Sequence, residues 1–211
     1  GSDGSNDNTV PILRKLSDIY SNLAYFEFDR LGKNKVLNAL MEKVDTELVF
    51  FMDADIRISK NSIGILIKLM SDKEVGACIS SMSIMENGGN TGKQGETFYQ
   101  EYEKSMRINE SMIDSTVNSL GAFYTIKTST YKKLPNEYVC DDLFPLYNVI
   151  IRKQRVQFTD QSVVSEVREK SLDNEFGRRV RLASGGWATV VSNISILNIF
   201  RGWSSFFVWN H

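Results

Sequence analysis

The chain has 211 residues, of which 42% are apolar and 24% charged, as is typical of a globular protein with one sizeable core. Its 25 basic and 26 acidic residues give a net charge of -1, which argues against a nucleic acid partner. The single histidine, His211, is the last residue, which argues against His-rich metal sites and histidine catalysis. Cys78 and Cys140 match no metal-ligand spacing and are expected to be reduced.

Both ends of the chain look cut. No apolar run reaches the ~18 residues of a membrane span, and no signal peptide opens the sequence. Gly1-Ser2 resembles an expression scar, and Asp3-Gly4-Ser5 is turn chemistry that normally follows a strand. We therefore expect a fold whose first strand is missing.

Helices and strands are predicted to alternate along the chain, which is typical of an α/β sheet with parallel strand order. A Gly-rich stretch, 87–92, is predicted to be a mobile surface loop. The predicted helices are Thr9 to Tyr20, Asn34 to Glu42, Ser62 to Met70, Glu96 to Met112, Leu143 to Arg152 and one from about Leu172. The predicted strands are Leu23 to Phe28, Leu48 to Met52, Val75 to Ser80, Gly121 to Ile126 and Arg155 to Phe158.

The strand Leu48 to Met52 ends in Asp53-Ala54-Asp55. Its unbroken apolar run predicts a strand covered on both faces, and ligands of α/β sheets bind beyond the carboxyl ends of such strands. Residues two apart in extended backbone point the same way, so Asp53 and Asp55 can share a divalent ion such as Mg²⁺ or Mn²⁺. The alternatives are two solvated acids or a cap on the helix that follows.

Two further charged groups allow a structural and a functional interpretation. Asp141-Asp142 precedes a helix, where acids commonly cap the N-terminus. Arg178, Arg179 and Arg181 have the charge and donors to bind a diphosphate, although a solvated basic helix face has the same composition.

The stretch from Ile194 to Trp209 is rich in Trp and Phe and carries one cation, Arg201. This composition fits an amphipathic segment lying at a membrane surface. It fits equally a helix that closes the domain core, since both need the same apolar face.

Five motifs follow one another along the chain. They are Asp3-Gly4-Ser5-Asn6-Asp7-Asn8-Thr9, Gly32-Lys33-Asn34-Lys35-Val36-Leu37-Asn38, Asp53-Ala54-Asp55, Asp141-Asp142 and Arg178-Arg179-Val180-Arg181. In this order they resemble the motifs D-G-S-x-D-x-T, G-K-x-x-A-L-N, D-A-D, an E-D or D-D pair, and Q-x-x-R-W of the family 2 glycosyltransferases. The resemblance is strongest to the membrane-associated cellulose, hyaluronan and poly-N-acetylglucosamine synthases.

The resemblance implies a GT-A fold, an α/β Rossmann-like and mostly parallel sheet flanked by helices, and a UDP-sugar donor. It implies that Asp3, Lys33, Asp53, Arg178 and Arg181 contact this donor. By the same resemblance, Asp55, together with Asp53, is the ligand of Mg²⁺ or Mn²⁺. Asp142 is the catalytic base, with Asp141 as the alternative.

The resemblance also implies a domain organisation and a cellular location. Residues 1–193 would form the catalytic domain, and 194–211 an amphipathic segment leading to a removed transmembrane helix. The full-length protein would lie at the cytoplasmic face of the inner or plasma membrane and transfer sugar to a saccharide or lipid-linked acceptor. Arg178 and Leu182 depart from Q-x-x-R-W, with Trp187 nearby but off register.

The chemistry predicted for these residues is an inverting sugar transfer, with Asp142 removing the proton of an acceptor hydroxyl. An inactive nucleotide-sugar-binding or assembly module is the alternative from another class. A sugar nucleotidyltransferase would carry a Gly-rich phosphate loop near the N-terminus, which this sequence lacks.

Overall fold

The computed structural model describes residues 1–86, 94–119, 121–136, 140–168 and 172–211. The predicted 87–92 loop lies outside these residues. The helices are α1 (Thr9–Ile19), α2 (Lys33–Met41), α3 (Ser62–Met70), α4 (Gln94–Ile113), α5 (Leu143–Ile151), α6 (Leu172–Ser192) and α7 (Trp203–Asn210). The strands are β1 (Ser2–Asp3), β2 (Glu27–Phe28), β3 (Leu48–Met52), β4 (Ile56–Ile58), β5 (Val75–Glu86), β6 (Phe123–Lys127) and β7 (Arg155–Arg168).

Five strands form one mixed sheet in the order β3-β6-β5-β7-β4, and β1 pairs with β2 beside it. The α/β class is as predicted. The predicted parallel order holds for β5 with β7 and for β1 with β2, whereas β3 with β6, β5 with β6 and β4 with β7 are antiparallel. The sheet is therefore mixed rather than mostly parallel.

The antiparallel strand β6 explains this difference. Phe123, Tyr124, Thr125 and Ile126 are all buried, because helices cover both faces of the sheet at its centre. An antiparallel strand in this position has the same unbroken apolar sequence as a parallel strand. The sequence pattern reports burial and not strand direction.

Several element boundaries differ from the predicted ones. The strand predicted from Leu23 shrinks to Glu27–Phe28, while β5 and β7 continue well beyond their predicted ends. Between Ser80 and Ser81 the register of β5 against β7 shifts, and the buried hydroxyls of Ser80 and Ser162 lie 2.7 Å apart there. Beyond this irregularity β7 also pairs with β4, a strand that we did not predict. Polar residues at the irregularity end the apolar pattern before the strand itself ends.

The core has two layers, one on each face of the sheet, because successive side chains of a strand point to opposite faces. On one face Ala77, Ile79 and Tyr124 pack with Leu146 and Val149 of α5. On the other face Cys78, Phe123 and Val164 pack with Leu66 and Met70 of α3. Both cysteines are free, as expected, with Cys78 buried and Cys140 partly buried.

The C-terminal segment is partly buried in the core and partly exposed. Ile196 and Val208 are buried in the core layer that includes α5, whereas Phe200 is 93% exposed. Asp114 accepts hydrogen bonds from the amide and hydroxyl of Ser204, at 2.9 and 2.6 Å, and so caps the N-terminus of α7. The domain boundary after residue 193 stays a prediction. Within the described parts of the chain, each helix is too short or too polar to cross a membrane.

Candidate active site

Lys33 joins the two acidic motifs. Its ammonium nitrogen lies 2.9 Å from Asp53 Oδ1 and 2.9 Å from Asp141 Oδ2. Lys33 is the first residue of α2, Asp53 directly follows β3, and Asp141 lies just before α5. Three motifs that are far apart in sequence therefore meet at the side chain of Lys33.

Asp3 fixes the loop that leads to Lys33. Its two carboxylate oxygens accept hydrogen bonds from the amides of Leu31 and Gly32, at 2.6 and 2.9 Å. Gly32 has a φ of 89°, a conformation that favours glycine because it has no Cβ. The predicted contact of Asp3 with the donor stays a prediction, while its observed role is to hold the start of α2.

The charge environment keeps Lys33 protonated. Burial alone would lower the pKa of its ammonium, but the charge of Asp141 and the hydrogen bonds with Asp141 and Asp53 outweigh this and raise the pKa. The Lys33 side chain is still 56% exposed, so an arriving anion or cation can reach it. It is a fixed positive charge between the two acidic motifs.

The turn after β3 carries both Asp53 and Asp55. The amide of Asp53 donates to the carbonyl of Ala122, at 3.2 Å, and the Asp53 carbonyl accepts from the amide of Ile56, at 3.3 Å. The Asp53 side chain is partly exposed, and Asp55 is exposed. Both carboxylates are accessible at the end of the strand, where the sequence predicts them.

These two carboxylates fit a hard divalent cation. Carboxylate oxygens are ligands that Mg²⁺ and Mn²⁺ prefer, and Asp53 already accepts a cationic ammonium group. In the described residues, no group of three or more His, Cys, Asp or Glu side chains converges on a possible metal position. The protein thus offers two oxygen-bearing side chains here, and further ligands would come from water or from a bound diphosphate.

Asp142 has a different environment from its neighbour Asp141. Burial, followed by the charge of Asp141, raises the pKa of the Asp142 carboxyl, although hydrogen bonds from Ser119 and from the amides of Asp142 and Leu143 oppose this. Gly121, with a φ of 71°, faces it so closely that a Cβ there would lie 2.9 Å from Asp142 Oδ2. Asp142 is therefore a partly buried carboxylate with a raised pKa.

Tyr124 and α6 position the acidic pair. The Tyr124 hydroxyl donates to the carbonyl of Asp141, at 3.1 Å. On the other side, the amide of Cys140 donates to Thr189 Oγ1 at 3.0 Å, and its thiol contacts the Leu182 carbonyl at 3.9 Å. We missed Tyr124, Thr189, Gly121 and Ser119 from the sequence, because only the chain's tertiary arrangement brings them to Asp141 and Asp142.

The arginines predicted to bind a diphosphate lie on α6. Arg181 is exposed on this helix, and the side chain of Arg178 lies outside the described residues. Trp187, which is off register from the expected motif, is 73% exposed. The predicted binding of a diphosphate by Arg178 and Arg181 stays a prediction.

Comparison with known proteins identifies the family of the chain. Residues 2–133 match the model of the family described as glycosyl transferase family 2, so the chain belongs to this family. No protein with curated annotation matches the chain in sequence.

Solved structures share the fold. A mannosyltransferase, PcManGT from Pyrobaculum calidifontis, solved with GDP-Man and Mn²⁺, has a TM-score of 0.69 at 21% identity, over 86% of this chain and 50% of its own. TarS 1-349 from S. aureus, solved with UDP-GlcNAc, has a TM-score of 0.63 at 16% identity, over 93% of this chain and 56% of its own. GalNAc-T7, solved with UDP, GalNAc and Mn²⁺, has a TM-score of 0.58 at 11% identity, over 79% and 36%. The chain thus spans about half the length of the first of these proteins, and its fold is that of GT-A glycosyltransferases.

Proposed function

We propose that this chain is the catalytic part of an inverting glycosyltransferase that uses a UDP-sugar in cell-surface polysaccharide synthesis, as in the cellulose and hyaluronan synthases. The acceptor is a saccharide or a lipid-linked saccharide. The observation that carries the proposal is the convergence of Lys33, Asp53 and Asp141 beside the shielded carboxyl of Asp142. Membership of glycosyl transferase family 2 supports the reaction class.

In this proposal the donor lies along the edge where β3 ends. Lys33, Asp53 and the arginines Arg178 and Arg181 bind the nucleotide and its diphosphate, and Asp3 lies at the nucleoside end. Charge-assisted hydrogen bonds from lysine and arginine suit diphosphate oxygens. A Mg²⁺ or Mn²⁺ ion held by Asp55 and Asp53 would supply positive charge for the departing diphosphate.

Asp142 is the proposed general base. The acceptor oxygen bonds to the anomeric carbon while the bond from that carbon to the diphosphate oxygen breaks. UDP leaves with the electron pair of that bond, and the acceptor proton passes to Asp142. Attack from the face opposite the leaving group inverts the anomeric configuration. The raised pKa of Asp142 supports this assignment over Asp141, whose carboxylate is already engaged by Lys33.

The test measures UDP release from a panel of UDP-sugars by membranes that contain the intact protein. We expect one UDP-sugar to be consumed and its product to have the opposite anomeric configuration by NMR. Retention of configuration, or transfer at the wild-type rate by Asp142→Asn, would contradict the proposed mechanism.

An inactive nucleotide-sugar-binding module is the second candidate. Arg178 and Leu182 stand where the synthase motif has glutamine and tryptophan, which favours a lost acceptor site. Such a module would bind UDP with Mn²⁺ in calorimetry yet release no UDP from any donor. Turnover in the membrane assay would exclude it.

We also propose that the C-terminal segment lies on the cytoplasmic face of the inner or plasma membrane. Residues 183–211 contain no Asp, Glu or Lys, and Phe200, Trp203, Phe206 and Trp209 are at least half exposed. Exposed Trp and Phe in a stretch of chain that lacks acidic residues suit a membrane interface. The double change Phe200→Ser and Trp203→Ser should weaken sedimentation with anionic vesicles. Unchanged sedimentation relative to wild type would contradict this location.

A further inference from the structure

Asp53 is paired with Lys33 at the place where a divalent cation is proposed to bind. Asp53 is a proposed ligand of a divalent cation, yet its Oδ1 atom already accepts the Lys33 ammonium at 2.9 Å. Two cations close to one carboxylate repel each other. Lys33 and a divalent ion therefore compete for Asp53.

We propose that Lys33 is the resident counter-ion of the acidic site and yields Asp53 to a divalent cation while it stays paired with Asp141. This inference rests on the proposed function, because it takes Asp53-Ala54-Asp55 as the cation-binding turn. Lys33 thereby limits cation binding in the nucleotide-free protein. It is a positioning residue for both acidic motifs.

The surroundings of the two ion pairs decide which contact is given up. The Asp141 side chain is 27% exposed and the Asp53 side chain 42% exposed, so solvent screens the contact with Asp53 more strongly. The charge of Asp141 also contributes more than that of Asp53 to the raised pKa of Lys33. The flexible stem of lysine allows its ammonium to keep one partner and release the other.

A lysine in this place also prevents repulsion. Asp53 Oδ1 and Asp141 Oδ2 both contact one nitrogen atom, so they cannot be more than twice 2.9 Å apart. Two carboxylates this close destabilise each other unless a cation lies between them. Lys33 supplies that charge before any divalent ion arrives.

The experiment measures Mn²⁺ affinity without nucleotide, by the electron paramagnetic resonance signal of free Mn²⁺. Lys33→Met should bind Mn²⁺ roughly two- to fivefold more tightly than wild type, the range that corresponds to one partly exposed ion pair. Lys35→Met is the matched control, because it removes the same charge from an exposed position of α2. Lys33→Gln repeats the test with a polar side chain, and circular dichroism checks that each variant folds.

A double-mutant cycle separates a specific exchange from a general charge effect. In an Asp53→Asn background, Lys33→Met should change Mn²⁺ affinity no more than Lys35→Met does. If Lys33→Met binds Mn²⁺ no more tightly than the Lys35→Met control, the exchange is wrong while the proposed cation site stands. If none of the proteins binds Mn²⁺, with or without UDP, both the exchange and the cation site of the proposed function are wrong.

Discussion

At the scale of single residues, the environment of Asp142 favours its role as a base but lowers the stability of the folded protein. Its shielded position makes it a stronger base, but the folded state disfavours its charge. The folded protein holds a proton on Asp142 more tightly than the unfolded chain does. Wild-type stability therefore falls as the pH rises from the ordinary aspartate pKa of about 3.9 through the raised value.

Asp142→Asn removes this charge, so we expect higher thermal stability at neutral pH together with a loss of sugar transfer of about 10²- to 10⁴-fold. The difference in melting temperature should vanish below about pH 3.9, where wild-type Asp142 is protonated in both states. Calorimetry at several pH values measures it. Asp55→Asn, at an exposed acid of the same site, is the control for stability. A variant that melts below wild type at pH 7 would contradict the prediction.

Gly121 is the second residue to consider, because the carboxylate of Asp142 leaves no room for a side chain there. Gly121→Ala places a Cβ 2.9 Å from Asp142 Oδ2 at a φ of 71°, so we expect unfolding by urea to become easier by about 1–2 kcal/mol. Gly64→Ala is the matched control, since a Cβ there meets no atom within 4 Å in the helix α3. Gly64→Ala should stabilise the protein by about 0.5–1 kcal/mol. Equal effects at both glycines would refute the argument.

At the scale of elements, α6 is joined to the acidic pair through Thr189. Its hydroxyl oxygen accepts from the Cys140 amide and donates to the Gly185 carbonyl. Thr189→Val removes both bonds, and we expect a loss of about 1–2 kcal/mol in the free energy of unfolding. Ser184→Ala on the same helix removes a hydroxyl that donates to the Arg181 carbonyl of that helix, so it should change stability by less than about 0.5 kcal/mol.

The reactivity of the Cys140 thiol tests the same contact between Cys140 and Thr189 of α6. Burial, followed by the charges of Asp142 and Asp141, raises the pKa of Cys140 to about 11, so this thiol should react slowly with iodoacetamide at pH 7. Thr189→Val should accelerate its alkylation because α6 is held less firmly against it. Alkylation at the wild-type rate would show that Thr189 does not hold α6 in place.

The elements also show what the sequence can and cannot predict. Periodicity placed α3 at its observed bounds and the acids Asp53 and Asp55 at the end of β3, because burial and helical spacing are local properties. It missed β4 and the antiparallel direction of β6. Both depend on pairing with residues far along the chain, and a local pattern carries no record of its partner.

Some features of the candidate site could also be predicted from the sequence and others could not. The order of motifs predicted that Lys33 and the acidic residues belong together, and the structure brings Lys33 to Asp53 and Asp141. The contrast between Asp141 and its neighbour Asp142 was not predictable. It arises from burial beside Gly121 and β6, which adjacent residues of one type cannot reveal in sequence.

At the scale of the whole molecule, ligand binding should appear as stability. With UDP and Mn²⁺ at about 100 times the dissociation constant, a site confined to the folded state gains about 2.7 kcal/mol, or roughly 5–10 °C in melting temperature. Differential scanning fluorimetry measures this shift. ADP should shift the melting temperature less than UDP, and Asp53→Asn should reduce the UDP shift. Equal shifts by both nucleotides would contradict a uridine-specific donor site.

The pairing of β4 with β7 has a consequence for synthesis on the ribosome. Ile56, next to Asp55, pairs with Glu166, which follows it by about 110 residues. At about 5–20 residues per second, roughly 5–20 s pass between the emergence of the acidic turn and that of its supporting strand. During this interval the turn and β4, which pairs with β7, are exposed without that partner strand. The nascent chain thus depends on being kept from aggregation until its second half has been translated.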